Sequence, residues 1–441
     1  MPRQKADINR LQVGSYVQLP LRWMDHPFLF NAFLIRTESQ LETLRRLGLK
    51  QVWYDPEKSE APLLSPLPGE AEEGGEEEAT EEENPTPDGP LDISATAMPL
   101  DDALMAEKRA RMAINREKRK RLQNCETRYR RTMASVKGLM QNLLARPREA
   151  VEEADHLVSD VVGTLLAEKE YVVHLMAEQG LDEQVYYHAL NVSMLSMMVA
   201  RECRLSEEEM RYVGMGALFH DIGKARLPGG IIHKRGELTP SERALYERHV
   251  HWGEEMADQM GNLAPEVVEV IARHHELLDG SGFPGGLDGP RIGRVTRIVT
   301  IANTYDNLCN PNDPARALSP YEALSFMFKK MPGMLDEELL AHFVRCLGVY
   351  PPGSIVQLSN DVIGLVMSFN AANLLAPVIK VYDPEVPKEE AYFVDLMEEP
   401  GVSIERSIRP ADLPREIYVY LNPRRHVNYY FDTAAGSTPE G

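Results

Sequence analysis

The most chemically suggestive stretch of this chain is Leu218–Phe219–His220–Asp221–Ile222–Gly223–Lys224. An imidazole and a carboxylate stand side by side where an apolar helical pattern (Met215, Leu218, Phe219) runs out before a glycine. Both are good ligands for divalent ions, and a carboxylate can bridge two of them. Neighbouring residues on a regular helix point about 100° apart, so one ion could reach both only through a local bend. Taken alone, the pair reads more readily as a helix end with a nearby cation than as a metal site.

Three further histidine groups favour the metal reading. His274–His275–Glu276 follows the helical run Val267 to Arg273, and consecutive histidines before an acid suit ligation better than a core. Glu247–Arg248–His249–Val250–His251 offers a ligand in either histidine. His188 lies on the helical stretch Val185 to Ala200 beside Leu190, Val192 and Leu195. Of twelve histidines in the chain, these candidates fall within fewer than a hundred residues. Such a set can hold two ions about 3.5–4 Å apart, activate a hydroxide and stabilise a phosphoryl group in transfer. Lys224 could neutralise a phosphate oxygen, or simply be a solvated cation. Amides near Gly280 to Gly282 could add dipoles. The reaction class is phosphoester hydrolysis.

The elements that would position these groups are mainly helical. Val185 to Leu347 is almost wholly helix-patterned, and periodicity from Met133 to about Met176 places Leu157, Val161 and Leu165 on one face. Ile8 to Asp55 reads as a small α+β unit, with strands at Val13–Leu19 and Gln51–Tyr54 around a helix at Glu38–Leu49. Glu70 to Asp88 carries much of the net charge of −20 and reads as a tether. Lys108 to Arg131 is a basic helical connector. Beyond Tyr350, segments at Ser354–Leu358, Val362–Val366, Val378–Val381 and Ile417–Leu421 read as strands. The expected division is 1–55, an α+β module; 56–104, an acidic linker; 105–154, a basic connector; 155–350, the phosphohydrolase domain; and 351–441, a β-rich appendage.

The acidic balance disfavours nucleic acid and anionic membrane as partners. Four scattered cysteines without a CxxC pair fit a reducing compartment. No apolar leader and no stretch of ~20 apolar residues is present, so a cytoplasmic protein without a membrane span is expected.

From His188 to Pro352 the chain resembles the HD-GYP phosphodiesterases of bacteria. The pieces that match are His188–Ala189–Leu190–Asn191–Val192, His220–Asp221–Ile222–Gly223–Lys224, His233 to Thr239 ahead of His249, and His274–His275–Glu276 leading to Asp279–Gly280–Ser281–Gly282–Phe283–Pro284. Ile298 to Asp306 resembles the last ligand helix, and Ile8 to Asp55 resembles a module of unknown function found ahead of some such domains. The resemblance implies an all-helical HD-type domain, cyclic-di-GMP as substrate, pGpG or GMP as product, and a pair of iron or manganese ions. It implies Asp221 as the bridge, His188 and His220 on one ion, and His249, His274 and His275 on the other. It places Lys224 near the scissile phosphate, with Gly282, Phe283, Pro284, Asp306 and Arg316 as substrate contacts. The Gly282–Phe283–Pro284 loop would also dock GGDEF-domain cyclases. Phe283 stands where the family has tyrosine, and Asn303 where it has a ligand aspartate. Gln184 replaces the glutamate of three-metal members, and Asn310–Pro311–Asn312 replaces an arginine-rich stretch. The competing reading is a module that binds the nucleotide and turns it over slowly.

Overall fold

The computed structural model describes residues 4–21, 26–28, 30–65, 102–167, 171–176, 184–370, 373–384, 386–388, 391–399, 401–421 and 427–433. The acidic tether lies outside them. The chain divides into two compact units, residues 1–116 with 383–390 and residues 117–382 with 391–441.

In the first unit, β1 (Gln4–Asp7), β2 (Tyr16–Gln18), β3 (Ala32–Leu34) and β4 (Gln51–Tyr54) form an antiparallel sheet in the order β1-β4-β2-β3. Helix α1 (Glu38–Arg46) starts from a capping box, in which the Thr37 hydroxyl accepts from the Gln40 amide and the Gln40 side chain returns to the Thr37 amide. Leu41 and Leu44 then share a face and close a small core with Leu11, Val17, Ile35 and Val52. This is the α+β module that the sequence suggests, with the strand at Val13–Leu19 shortened to β2.

Helix α2 (Asp102–Asn142) runs from the first unit into the second. Cys125, Tyr129, Met133, Val136 and Leu139 recur every three or four residues and are buried, so this face is core rather than solvated connector. After α3 (Pro147–Ala167) and β5 (Tyr171–Leu175) come α4 (Gln184–Glu202), α5 (Glu207–Phe219), α6 (Gly229–Ile232), α7 (Pro240–Glu247), α8 (His249–Met260), α9 (Pro265–Arg273), α10 (Arg294–Cys309), α11 (Pro320–Lys330) and α12 (Glu337–Leu347). Helix α4 is buried continuously from Ala189 to Ala200 and packs against α3, α5, α10 and α12. A helix that is apolar all round must sit at the centre. The fold is mainly α.

The remaining strands are β6 (Ile355–Leu358), β7 (Ile363–Asn370), β8 (Val378–Val381), β9 (Phe393–Asp395), β10 (Ile404–Ile408) and β11 (Tyr429–Thr433), with α13 (Arg415–Leu421) before the last. Their antiparallel sheet has the order β10-β6-β7-β5-β11, and β8 and β9 add on beside β7. Two expectations change here. Tyr171–Leu175 is a strand rather than the end of a helix, because β7 and β11 supply ladder partners on both sides. Ile417–Leu421 is helical: the Tyr418 amide donates to the Pro414 carbonyl, and Ile417 and Leu421, four apart, are buried together. The strands also share one core with the helices, through Ile355, Leu365 and Tyr429.

Candidate metal centre

Five short pieces of backbone deliver the histidines and their carboxylates. Helix α4 carries His188 in its second turn. Helix α5 ends at Phe219 with His220 as its cap, and Asp221 has already left the helix, at φ −102° and ψ 9°. That bend removes the 100° divergence and lets both side chains turn to one place. A 3₁₀ turn, Ile222–Arg226, follows and lies against the start of α8. A Cβ on Gly223 would stand 1.9 Å from the His249 carbonyl oxygen and 2.5 Å from the Gly253 nitrogen. Only glycine permits that approach, and it brings His249 to Asp221. His274 caps α9 and His275 follows it.

The ring nitrogens are sorted by their backbone partners. Nδ1 of His220 lies 2.7 Å from the Ala217 carbonyl, and Nδ1 of His249 lies 2.7 Å from that of Tyr246. Nδ1 of His274 lies 3.1 Å from the carbonyls of both Val270 and Ile271. A carbonyl only accepts, so each Nδ1 carries the proton and each neutral ring keeps its lone pair on Nε2. Each of these Nε2 atoms faces the Nε2 of a second ring. His188 Nε2 is 3.1 Å from His220 Nε2, and His249 Nε2 is 3.3 Å from His274 Nε2. Two nitrogens bound to one ion at ~2.1 Å, at angles near 90–110°, lie about 3.0–3.4 Å apart. The observed spacings fit a shared cation.

Asp221 stands between the two pairs. Its Oδ2 is 3.4 Å from His188 Nε2 and 3.2 Å from His220 Nε2, while its Oδ1 is 3.4 Å from His249 Nε2 and 3.6 Å from His274 Nε2. The ligand atoms therefore form two groups, His188–His220–Asp221 and Asp221–His249–His274–His275, sharing the carboxylate. Asp221 Oδ1 and His275 Nε2 are buried and accept no hydrogen bond among the described residues. Buried acceptors left without donors are costly, and a cation satisfies both. The residues fit the ions that the sequence calls for.

Charge follows the same geometry. Burial pushes His220 down to about 4 and His249 to about 3, and holds His275 well below the ordinary imidazole value, so these rings are neutral ligands at neutral pH. Burial opposes a charge on His188 too, but Asp221 and Asp306 outweigh it and push that ring up to about 9. Burial would raise the Asp221 carboxyl, yet His220 and Lys224 hold it well below the usual range. Lys224 Nζ is 2.5 Å from Asp221 Oδ2 and 5.3 Å from the centre of the Tyr246 ring. Despite burial, Asp221 and Tyr246 keep that ammonium protonated. Lys224 is thus a partner of the cluster and not a solvated cation.

The other candidates fall into place unevenly. His251 is well exposed and pairs with Glu255, which leaves His249 as the inward member of its pair. Phe283 stacks on His275 with ring centres 4.4 Å apart, and its amide donates to the His275 carbonyl. Gly282 passes so close that a Cβ would sit 2.4 Å from that carbonyl oxygen. The loop is pinned from below by Glu276, 2% exposed, which accepts from the amides of Gly285 and Leu287. Asp306 is 1% exposed and spent on protein: Oδ2 is 2.5 Å from His188 Nδ1, and Oδ1 accepts from Asn191 and Asn310. It stands behind His188 and is also one of the residues lining the cleft beside that ring. Asn303 is buried one turn earlier on α10, with Oδ1 accepting from Asn307 at 2.7 Å. Arg316 is exposed in the turn Pro314–Arg316 and does not line the cleft beside His188. Sequence reading missed Asn191, Tyr246 and the anchoring role of Glu276. Only Asn191, three residues after His188 on one helix, carried a signal that spacing could have found.

A cleft of about 210 Å³ opens beside His188, Asp221 and Lys224 and is lined also by Tyr187, His233 and a group of amides. Residues 3–154 match a domain of unknown function, DUF3391, and residues 160–339 match the HD domain. A cyclic di-GMP phosphodiesterase of Pseudomonas aeruginosa is 29% identical over 86% of this chain and 85% of its own length. A cyclic di-GMP phosphodiesterase response regulator of Xanthomonas campestris is 34% identical over 35% of this chain and 41% of its own. A 3'3'-cGAMP-specific phosphodiesterase of Vibrio cholerae is 30% identical over 37% and 35%.

Proposed function

We propose that this chain, in which residues 3–154 match DUF3391 and residues 160–339 match the HD domain, hydrolyses the phosphodiester bonds of cyclic-di-GMP, giving pGpG, GMP or both. The observation that carries this reading is the convergence of imidazole Nε2 atoms on the two oxygens of Asp221. His188, His220, His249, His274, His275 and Asp221 would hold two divalent ions, iron or manganese. Such ions supply a hydroxide at neutral pH and Lewis-acid stabilisation of phosphoryl charge.

The chain's own residues prepare the rest. Backbone carbonyls behind His220, His249 and His274, and Asp306 behind His188, fix which nitrogen each ring presents. Lys224, cationic beside Asp221 and at the edge of the cleft, can neutralise a phosphate oxygen brought against the cluster. Phe283 seals one side of His275 by stacking, which limits water there. The Gly282–Phe283–Pro284 loop is the surface we assign to a GGDEF-domain cyclase. The site of action is the cytoplasm; among the described residues no helix is long and apolar enough to cross a membrane.

One observation favours a slower, nucleotide-binding module. Asn303 brings no negative charge, and its amide oxygen accepts a hydrogen bond from Asn307. The deciding assay measures pGpG and GMP release by manganese- or iron-loaded protein, with 3'3'-cGAMP in parallel. Release above that of a His220→Ala, Asp221→Ala double variant is the expected result. Tight binding with no product above that control would decide for the receptor.

A further inference from the structure

Tyr246, in the last turn of α7, meets the cluster through both its backbone and its ring. Its carbonyl oxygen lies 2.7 Å from His249 Nδ1, and its ring centre lies 5.0 Å from that of His249. Lys224 Nζ stands 5.3 Å from the centre of the same ring, and Lys224 and Tyr246 both line the cleft. Helix α7 buries none of its own residues and is fastened at its start, by the Thr239–Glu242 capping box and the Lys234–Glu242 ion pair. A core role therefore does not account for the half-buried Tyr246 side chain, whereas its place beside Lys224 does.

Lys224 needs a second holder. A lysine ammonium sits on a flexible stem, and fixing it costs rotamer entropy. Asp221 Oδ2 accepts from Nζ at 2.5 Å, but that oxygen also stands 3.4 Å from His188 Nε2 and 3.2 Å from His220 Nε2, within a group that fits a cation. Two cations drawn to one carboxylate oxygen repel each other. An aromatic face attracts an ammonium without adding an anion that would compete for the ion. It can hold Nζ at the cleft and leave Oδ2 to the cluster.

We propose that Tyr246 is a positioning residue for Lys224, its ring keeping the ammonium at the edge of the cleft where a phosphate oxygen of the ligand would meet it. This rests on the phosphodiesterase reading of the same site. Every replacement of Tyr246 retains the backbone carbonyl behind His249, so the side chain can be tested without removing that contact. The consequence is a coupling: the Tyr246 ring matters only while Lys224 is present.

The test is a double-mutant cycle on the manganese-loaded full chain, with cyclic-di-GMP as substrate. Tyr246→Leu should lower kcat/KM about tenfold in the wild-type background and by less than about twofold beside Lys224→Met, the loss expected for one desolvated cation–π contact. Manganese content by elemental analysis should stay unchanged. Equal losses in both backgrounds, or no loss in either, would overturn the proposal. So would loss of manganese, which would place the effect at His249. Should Tyr246→Leu not fold, Tyr246→Met, which keeps apolar volume without a ring, goes through the same cycle with the same outcomes. Where product release by the wild type or by Lys224→Met is too slow to measure, calorimetric affinity for cyclic-di-GMP replaces kcat/KM in the cycle. A coupled loss of affinity in a chain without turnover would contradict hydrolysis alone and leave the positioning role standing. Additive losses would remove the positioning role, and no binding by the wild type would remove both.

Discussion

His188 differs from the other ligand candidates in what stands behind it. His220, His249 and His274 back onto carbonyl oxygens, but His188 backs onto the Asp306 carboxylate, itself held by Asn191 and Asn310. A carboxylate behind an imidazole raises its basicity and fixes its orientation, and loss of such a partner typically costs about 10–100-fold in metal affinity. Asp306→Ala should therefore weaken binding at the His188 end by roughly that factor, measured by titration against a competing chelator. Unchanged affinity would mean that Asp306 does not orient the ligand. At Asn303 the sign is opposite: Asn303→Asp adds a charge one turn from Asp306 and should raise metal occupancy in elemental analysis. The ligand histidines were legible because their residue types are uncommon together. Asp306 was legible as a site residue, but its partner was not, since sequence shows helical spacing and not which carboxylate meets which ring.

Among the elements, the contact between the 3₁₀ turn Ile222–Arg226 and α8 decides whether the two halves of the cluster meet. Gly223→Ala would force the Cβ into the His249 carbonyl, and overpacking of this kind costs about 1–3 kcal/mol or more. The expected outcome is a lower melting temperature together with loss of metal; a variant that keeps both would refute the role given to this approach. Glu276→Gln tests the loop that carries Phe283. It exchanges a carboxylate with two amide donors for a neutral acceptor, and should cost roughly 1–2 kcal/mol in thermal unfolding. The helices α4, α5 and α9 could be read from the sequence because a helix's backbone hydrogen bonds are local to one chain segment. Strand β5 could not, because Tyr171–Leu175 pairs with strands near residues 370 and 430. Nor could α13, a short apolar run that suits strand or helix equally until Pro414 is seen to start it.

In the second compact unit as a whole, the segment after Tyr350 is part of the core. Tyr305 and Tyr429 hydroxyls meet at 2.7 Å, and Ile355, Leu365 and Tyr429 belong to the same buried cluster as the inner faces of α4 and α5. A fragment of residues 155–350 alone, the domain that the motifs suggest, should therefore expose this core and fail to unfold cooperatively. Calorimetry showing a sharp native transition for that fragment would disprove the packing argument. Motif spacing located the chemistry but could not reveal that the far end of the chain returns to close the sheet and wall the cleft. The central claim is two cations sharing Asp221, and anomalous diffraction from crystals of manganese-loaded protein tests it most directly. The account predicts one peak among His188, His220 and Asp221 and a second among Asp221, His249, His274 and His275. Density for neither, or a single ion bound away from Asp221, would contradict it.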